Sequence, residues 1–214
     1  MRTKTVGYGV VLVLTIASIA LALSVSTSDG TRFATIVLQA ATLVAAVRTA
    51  DVHGGTRLAA VAAVLVVLVA GLGWAIGGDV PATPAAIVNG LLVGVAPVAI
   101  ARGLLRDLRE QRGVTISTLA GVLAVYLLAG MFFSFLYGVV GAVDPDRLFH
   151  QLADSTREDQ LYFSFVTLCT VGYGDLTPVG GWARGIAVTE MLVGQIYLVT
   201  IVSLIVSNLG ARRG

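Results

Sequence analysis

Six apolar stretches, at or near the length of a membrane-spanning helix, constrain the fold of this 214-residue chain more than any other feature. A helix needs roughly 17–25 apolar residues to cross the hydrocarbon core of a bilayer. Charged residues make up only 12% of the chain, too few to cover a soluble surface. The sequence therefore predicts an all-α, multi-pass membrane protein in the lipid bilayer, with spans at 6–25, 33–47, 58–77, 84–101, 115–141 and 182–209.

The first apolar stretch has two possible fates. It follows Arg2 and Lys4, and Ala20-Leu21-Ala22 resembles the cleavage site of a signal peptide. Its apolar run of roughly 17 residues is longer than the usual core of a signal peptide, about 7–15 residues. We therefore expect a retained helix, with a cleaved signal as the alternative.

The basic residues predict the orientation, because cytoplasmic loops carry an excess of Lys and Arg. With six spans and a cytoplasmic N-terminus, ten of the 14 basic residues fall inside and four outside. Both termini are thus predicted to be cytoplasmic, in a plasma or inner membrane. The inner ones are Arg2, Lys4, Arg48, Arg57, Arg102, Arg106, Arg109, Arg112, Arg212 and Arg213, and the outer ones are Arg32, Arg147, Arg157 and Arg184.

Several function classes find no support in the sequence. No run of basic residues is interleaved with aromatics, which argues against binding of nucleic acid. The single cysteine, Cys169, excludes an internal disulfide and a metal site built from cysteines. Because no phosphate loop, catalytic triad or metal-ligand cluster is present, we assign no catalytic residues and no enzymatic activity.

The outer segment 142–181, between the last two spans, predicts a re-entrant loop. It begins acidic and turns apolar over 161–169, a run too short to cross the membrane. Ser155-Thr156-Arg157-Glu158 fits a capping box, which predicts the start of a short helix. Irregular backbone at membrane depth is tolerated only where it lines a water-filled path or is buried in protein.

The segment Thr170-Val171-Gly172-Tyr173-Gly174-Asp175 follows this short helix. An extended strand points successive carbonyls in opposite directions, but glycine accepts a positive φ without steric cost. Gly172 and Gly174 therefore allow the carbonyls of residues 170–173 to face one side, with the Thr170 hydroxyl as an innermost oxygen. Such oxygens can replace the water that a cation loses on leaving solution.

This motif resembles the TVGYG selectivity filter of the potassium-channel family. The resemblance covers about residues 115–210: 162–169 is similar to the pore helix, 175–178 to the outer mouth, and Gly194 to the inner-helix hinge. It implies a homotetramer, since one filter supplies a quarter of a closed ring. It also implies K+ as the only bound cofactor, held by Thr170, Val171, Gly172 and Tyr173.

The resemblance has two departures near the filter. Val166 stands where the simplest two-span bacterial channels have a glutamate, and Tyr162-Phe163 replaces a Trp-Trp pair. Both changes concern the bonds around the filter, and therefore inactivation rather than selectivity. Tyr173 is expected to face away from the ion axis and pack against the pore helix. A ring of Asp175 carboxylates at the outer mouth would concentrate cations.

The fourth span bears on gating, because 84–101 contains no Lys or Arg. Voltage gating needs several charges inside the field, each worth about 2.3 kcal/mol per 100 mV. We therefore predict a voltage-independent channel with a voltage-sensor-like but non-sensing domain at 1–101, an amphipathic cytoplasmic linker helix at 102–113 and a pore domain at 114–214. A weakly voltage-gated potassium channel and a subunit of a potassium transporter are the alternatives.

The last span contains the remaining candidate residues. We expect it to bend at Gly194, and helical spacing places Leu198, Val202 and Val206 on one face, which either lines the cavity or packs between helices. Glu190 is the one acid within the six spans, and an acid in lipid is expensive. It is expected to face the pore helix, as a functional or a structural group, near Ser164, Thr167 or Cys169.

Overall fold

The computed structural model describes residues 2–24, 116–143 and 148–210, with Val61 and scattered helical residues within 37–49 and 93–102. The predicted span 58–77, apart from Val61, and the linker helix 102–113, apart from Arg102, lie outside the described residues. Spans 33–47 and 84–101 are described only in part. The described residues contain four bounded helices: α1 (Arg2–Ser24), α2 (Ile116–Val143), α3 (Arg157–Leu168) and α4 (Gly181–Gly210).

Helices α1, α2 and α4 coincide with the first and the last two predicted spans. Among the described residues, α2 and the part of α4 over Gly181–Ile201 are long and apolar enough to cross a membrane. The apolar part of α1, Gly7–Leu23, is shorter. These segments are thus helical, as the predicted all-α membrane protein requires, while the six spans and the tetramer stay predictions.

The chain divides into two compact units, Met1–Ala129 and Gly130–Gly214. In the first unit, α1 buries Tyr8, Val11, Thr15 and Ser18. Spacings of three and four residues place them along one helical face, as expected for a helix that packs on one side. The second unit contains α3, α4 and the later part of α2. The predicted domain bounds at 101 and 113 stay predictions.

Aromatic side chains hold the second unit together. Tyr137 on α2 meets Phe163 on α3 edge to face, with 5.0 Å between ring centroids. Phe149, from the segment before α3, packs on the same Phe163 ring at 4.9 Å. Ala183 and Ala187 of α4 belong to this buried cluster. Such aromatic pairs add about 0.5–1.5 kcal/mol each beyond the apolar area that they bury.

The residues that precede α3 pair with those that follow the glycine-rich segment. The His150 amide donates to the Thr177 carbonyl at 2.9 Å, and the Val179 amide donates to the Leu148 carbonyl at 3.2 Å. The side-chain oxygen of Gln151 accepts from the Thr177 amide at 2.9 Å. The residues that precede α3 and those that follow the glycine-rich segment are therefore joined to each other by three hydrogen bonds.

Helix α3 begins one residue later than the sequence predicted. Thr156, not Ser155, is the N-cap: its hydroxyl accepts from the Asp159 amide at 3.2 Å, and the Asp159 carboxylate accepts from the Thr156 amide at 2.8 Å. The predicted pairing of Ser155 with Glu158 is wrong. The Ser155 hydroxyl instead accepts from the side-chain amide of Gln160, in the second turn of α3, at 3.1 Å.

Candidate functional site

The chain turns back on α3 immediately after the helix ends. Cys169 caps the helix, and the next three amides reach back to its last carbonyls. Thr170 donates to the Thr167 carbonyl at 2.9 Å, and Val171 donates to the Val166 carbonyl at 2.9 Å. A longer bond of 3.4 Å joins the Gly172 amide to the same Val166 carbonyl. The carbonyls that a helix leaves unpaired at its C-terminus are thereby satisfied by the segment that follows.

These bonds decide where the carbonyls of the segment point. In a trans peptide unit, the N–H and the preceding C=O point in opposite directions. The described residues contain no cis peptide bond. Because the amides of residues 170–172 face the end of α3, the carbonyls of Cys169, Thr170 and Val171 face away from it. Three successive carbonyls therefore share one side of the chain, which an ordinary strand does not allow.

The backbone achieves this alignment through positive φ angles at alternate residues. Gly172 has φ +59° and Gly174 has φ +80°, in the left-handed region that the sequence predicted for both glycines. Thr170 also has φ +56°, which the sequence did not signal. A β-branched residue in this region is strained, and such strain costs of order 1–3 kcal/mol. The hydrogen bond from the Thr170 amide to the Thr167 carbonyl of α3 helps to hold the residue in this conformation.

Residues 169–175 are exposed in the single chain. The Val171 side chain is 50% exposed and that of Tyr173 is 71% exposed. The sequence predicted that Tyr173 packs or hydrogen-bonds against the pore helix, and this stays a prediction. The whole segment 169–175 is thus accessible in the single chain.

Asp175, the last residue of the motif, is held by α3. The Tyr162 hydroxyl donates to its Oδ2 at 2.6 Å, and the Leu176 amide donates to its Oδ1 at 3.1 Å. The hydrogen bond to Asp175 raises the pKa of Tyr162 to about 12. In the sequence, Tyr162 stands out only as a departure from a tryptophan pair, with no sign of a contact to Asp175. The two residues are 13 positions apart, and no local pattern links them.

Glu190 is completely buried where α2, α3 and α4 meet. Its Oε1 lies 2.5 Å from the Ser164 hydroxyl, and the Tyr137 hydroxyl lies 2.7 Å from its Oε2. The Ser164 hydroxyl is also 2.7 Å from the Gly130 carbonyl oxygen. Ser164 is one of the three neighbours that helical spacing suggested. Tyr137 was missed, because the contact spans 53 residues of sequence.

At Gly194, α4 packs directly against the end of α3. The residue is buried, and a Cβ built on it would collide with the Leu168 carbonyl oxygen. Glycine is therefore required here for packing. Helix α4 continues through this position without interruption, and the predicted hinge stays a prediction.

The predicted cavity-lining residues lie further along α4. Leu198 is exposed in the single chain. Val202 and Val206 are helical, but their side chains lie outside the described residues. The choice between a cavity lining and packing between helices therefore stays open, as in the sequence.

The oxygens that this site offers to a cation come from the backbone. Among the described residues, no group of three or more His, Cys, Asp or Glu side chains could hold a metal ion. The carbonyl oxygens of Cys169, Thr170 and Val171 instead share one side of the chain, and such oxygens can replace the water that a cation loses on leaving solution.

The second half of the chain is similar in sequence to known ion channels. Residues 121–210 match the family described as ion channel. Protein LctB of Bacillus caldotenax is 53% identical over 49 residues, which are 23% of this chain and 36% of LctB. Two-pore potassium channel 5 of Arabidopsis thaliana is 43% identical over 49 residues, 23% of this chain and 12% of that protein.

A third relative extends the comparison. Two pore potassium channel c of rice, Oryza sativa subsp. japonica, is 50% identical over 36 residues, which are 17% of this chain and 8% of that protein. The chain thus spans about a third of the LctB length and a smaller part of the plant proteins. Together the matches support a membrane ion channel related to potassium channels.

Proposed function

We propose that this chain is the subunit of a potassium-selective channel that conducts K+ passively across the membrane. The row of carbonyls directed away from α3 carries the proposal. A cation that leaves water for a low-dielectric pore needs oxygens in place of its hydration shell. Thr170, Val171, Gly172 and Tyr173 would supply backbone oxygens, and Thr170 would add its hydroxyl. The names of the plant relatives, which are potassium channels, support the choice of ion.

We further propose that four copies assemble around the ion path. One chain faces an ion from one side only, and a closed ring of identical copies supplies the other sides. The exposure of residues 169–175 is consistent with surroundings built from further copies. Beyond Glu190, α4 also exposes many apolar side chains, which need lipid or protein as neighbours: Met191, Leu192, Val193, Ile196 and Val199.

Two features of α3 would favour a cation in this path. The C-terminal end of a helix carries a partial negative charge, and α3 ends just before the row of carbonyls. Asp175, fixed by Tyr162, would add a ring of carboxylates at the outer mouth and raise the local concentration of cations. The proposal needs no enzymatic step and no cofactor other than K+.

Nearly voltage-independent conduction is the remaining part of the proposal. It rests on the sequence, since 84–101 offers no Lys or Arg to the membrane field. The first four spans would then form a voltage-sensor-like domain that does not sense voltage. The channel would lie in the plasma or inner membrane with both termini in the cytoplasm, as the distribution of basic residues indicates.

The test is a flux assay on the full chain reconstituted in lipid vesicles. We expect K+ to enter far faster than Na+, and Ba2+ to block the K+ flux. Equal permeability to K+ and Na+ would overturn the proposal of selectivity. In planar bilayers with symmetric K+, we expect conductance to depend weakly on voltage, and a steep curve would overturn voltage independence.

Gly172→Ala tests the carbonyl row itself. An alanine at φ +59° costs about 1–2 kcal/mol, so the backbone should relax and turn carbonyls away from the common side. We expect the preference for K+ over Na+ to fall by about tenfold. Gly185→Ala is the matched control, because this glycine lies on α4 with open space around it and should leave the preference unchanged. An unchanged preference in Gly172→Ala would contradict the assignment.

A further inference from the structure

The hydroxyl and carboxyl groups around Glu190 form a short chain of oxygen atoms across three helices. From α2, the Gly130 carbonyl oxygen lies 2.7 Å from the Ser164 hydroxyl of α3. That hydroxyl lies 2.5 Å from Glu190 Oε1 on α4, and Oε2 lies 2.7 Å from the Tyr137 hydroxyl. All three separations are those of O–H···O hydrogen bonds, and each needs one hydrogen between its two oxygens.

Counting hydrogens identifies the protonation state of the carboxyl group. The Gly130 carbonyl has no hydrogen to give, while Ser164 and Tyr137 have one hydroxyl hydrogen each. Three contacts therefore draw on two hydroxyl hydrogens. If Ser164 donates to Gly130, the hydrogen between Ser164 and Glu190 belongs to the carboxyl group. If Ser164 donates to Glu190 instead, two lone-pair oxygens face each other at 2.7 Å.

The surroundings favour the same state. Glu190 is fully buried, and among the described residues its carboxyl is hydrogen-bonded by the uncharged hydroxyls of Tyr137 on α2 and Ser164 on α3. Of these two groups, Tyr137 is titratable. A buried carboxylate without a positive partner costs far more than a neutral, hydrogen-bonded acid. The neutral acid leaves each oxygen of the chain with a hydrogen-bond partner.

We propose that Glu190 is held as an un-ionised carboxylic acid, and that its proton joins the inner helix α4 to the filter-bearing helix α3. In this arrangement the carboxyl O–H donates to Ser164, the Ser164 hydroxyl donates to the Gly130 carbonyl, and Tyr137 donates to the second carboxyl oxygen. Glu190 is thus a positioning residue for the filter. This role rests on the proposed channel function, whereas the protonation state does not.

A second contact, one helical turn further, extends the link to the filter. Gly194 follows Glu190 by four residues on α4, and Leu168 follows Ser164 by four residues on α3. Gly194 packs against the Leu168 carbonyl, two residues before Thr170. The two helices therefore run side by side over one full turn. A shift of α4 at Glu190 would be passed through Leu168 to Cys169 and Thr170, whose carbonyls begin the row.

Infrared spectroscopy of the full chain in lipid vesicles tests the protonation state. The C=O stretch of a neutral carboxylic acid is separate from the two bands of a carboxylate. We expect the acid band in the wild-type spectrum and its loss in Glu190→Gln. Asp154→Asn, which changes an exposed carboxyl outside the site, should keep the band. If Glu190→Gln instead removes carboxylate bands, the proposal is overturned.

Conservative and truncating variants test the positioning role. A glutamine can donate its N–H to Ser164 and accept from Tyr137, as the neutral acid does. We expect Glu190→Gln to keep K+ flux and the K+ to Na+ ratio within about twofold, and Glu190→Ala to lose about tenfold in flux because Ser164 and Tyr137 lose their partner. Equal damage in both variants would contradict a neutral acid.

Two further measurements distinguish failure of the positioning role from failure to assemble and from failure of the proposed channel function. Should Glu190→Ala fail to assemble, Tyr137→Phe is the substitute, since it keeps the ring against Phe163 and removes one donor to the carboxyl. We expect it to lower flux severalfold, and an unchanged flux would contradict the role. Should the wild type carry no K+, the proposed channel function fails, while the infrared band still decides the protonation state of Glu190.

Discussion

The two ends of α3, the N-terminal or outer end and the C-terminal or inner end, satisfy their backbone groups in opposite ways. At the outer end, Thr156 and Asp159 exchange hydrogen bonds within four residues of sequence. At the inner end, the Val166 and Thr167 carbonyls are taken by the amides of the segment that follows. The outer end is closed by an unstrained cap, whereas the inner end is followed by positive φ angles at Thr170, Gly172 and Gly174.

Because of this difference, we expect one end of the 12-residue helix to matter for stability and the other end for the proposed conduction. At the outer cap, the side chains of Thr156 and Asp159 accept from each other's backbone amides, and the cap directs no group toward a ligand. The inner end uses the amides of the next segment and thereby turns the carbonyls of that segment outward. Strain at Thr170 accompanies the arrangement, as is usual where a backbone is shaped for a task. Changes at the inner end should therefore affect conduction, and changes at the outer end should affect stability.

The largest effect is expected from Gly194→Ala, which acts on the inner end. The new Cβ would meet the Leu168 carbonyl oxygen, a backbone atom that cannot rotate aside. Overpacking of this kind costs about 1–3 kcal/mol per site. We expect a lower temperature of unfolding in detergent together with reduced K+ flux in vesicles.

The control for this substitution is Gly185→Ala, on the same helix with open space around it. Alanine has a higher helix propensity than glycine, so the control should unfold at an equal or higher temperature. If Gly194→Ala behaves like Gly185→Ala, the close approach of α4 to the end of α3 does not constrain the protein.

A smaller effect is expected from Thr156→Ala at the outer end. Loss of an N-cap hydroxyl costs about 1 kcal/mol, and the Asp159 amide loses its acceptor. Thermal unfolding should report the loss, and Thr156→Ser should restore most of it. The K+ to Na+ ratio should stay at the wild-type value in both variants. A changed ratio would show that the two ends are not independent.

The smallest effect concerns Tyr162, which connects α3 to the outer end of the motif. Its hydrogen bond to Asp175 raises the pKa of Tyr162 from the ordinary 10.0 to about 12. Because the folded pKa is the higher one, the contribution of this bond is complete below about pH 10 and is lost as the pH rises to about 12. Ultraviolet absorbance of tyrosinate, as wild type minus Tyr162→Phe, measures this titration.

Asp175→Asn provides the matched comparison for the titration. Removing the carboxylate charge should bring the pKa of Tyr162 back toward its ordinary value, because the bond to Asp175 is the main cause of the shift. A midpoint near pH 10 in the wild type would mean that the bond between Tyr162 and Asp175 is absent in the assembled protein.

Much of the local structure could be predicted from sequence patterns. Three described helices coincide with apolar stretches, because only a helix satisfies all of its backbone groups within one segment in lipid. The positive φ angles of Gly172 and Gly174 were also predictable, since glycine is the residue that adopts them at no steric cost. The start of α3 was predicted one residue too early, because Ser155 and Thr156 are both good caps, each has an acid three residues later, and the structure pairs Thr156 with Asp159.

The sequence by itself determined the local elements from which the site is built: apolar spans, a short capped helix, and a glycine pattern that permits aligned carbonyls. What only the tertiary structure decided are the contacts between distant segments. Tyr162 with Asp175, Tyr137 with Glu190, and Gly194 against Leu168 join residues that no local pattern relates. Local structure follows from residues that are near neighbours in the chain. The positive φ of Thr170 and the hydrogen bonds around Glu190, by contrast, form only when the helices pack together.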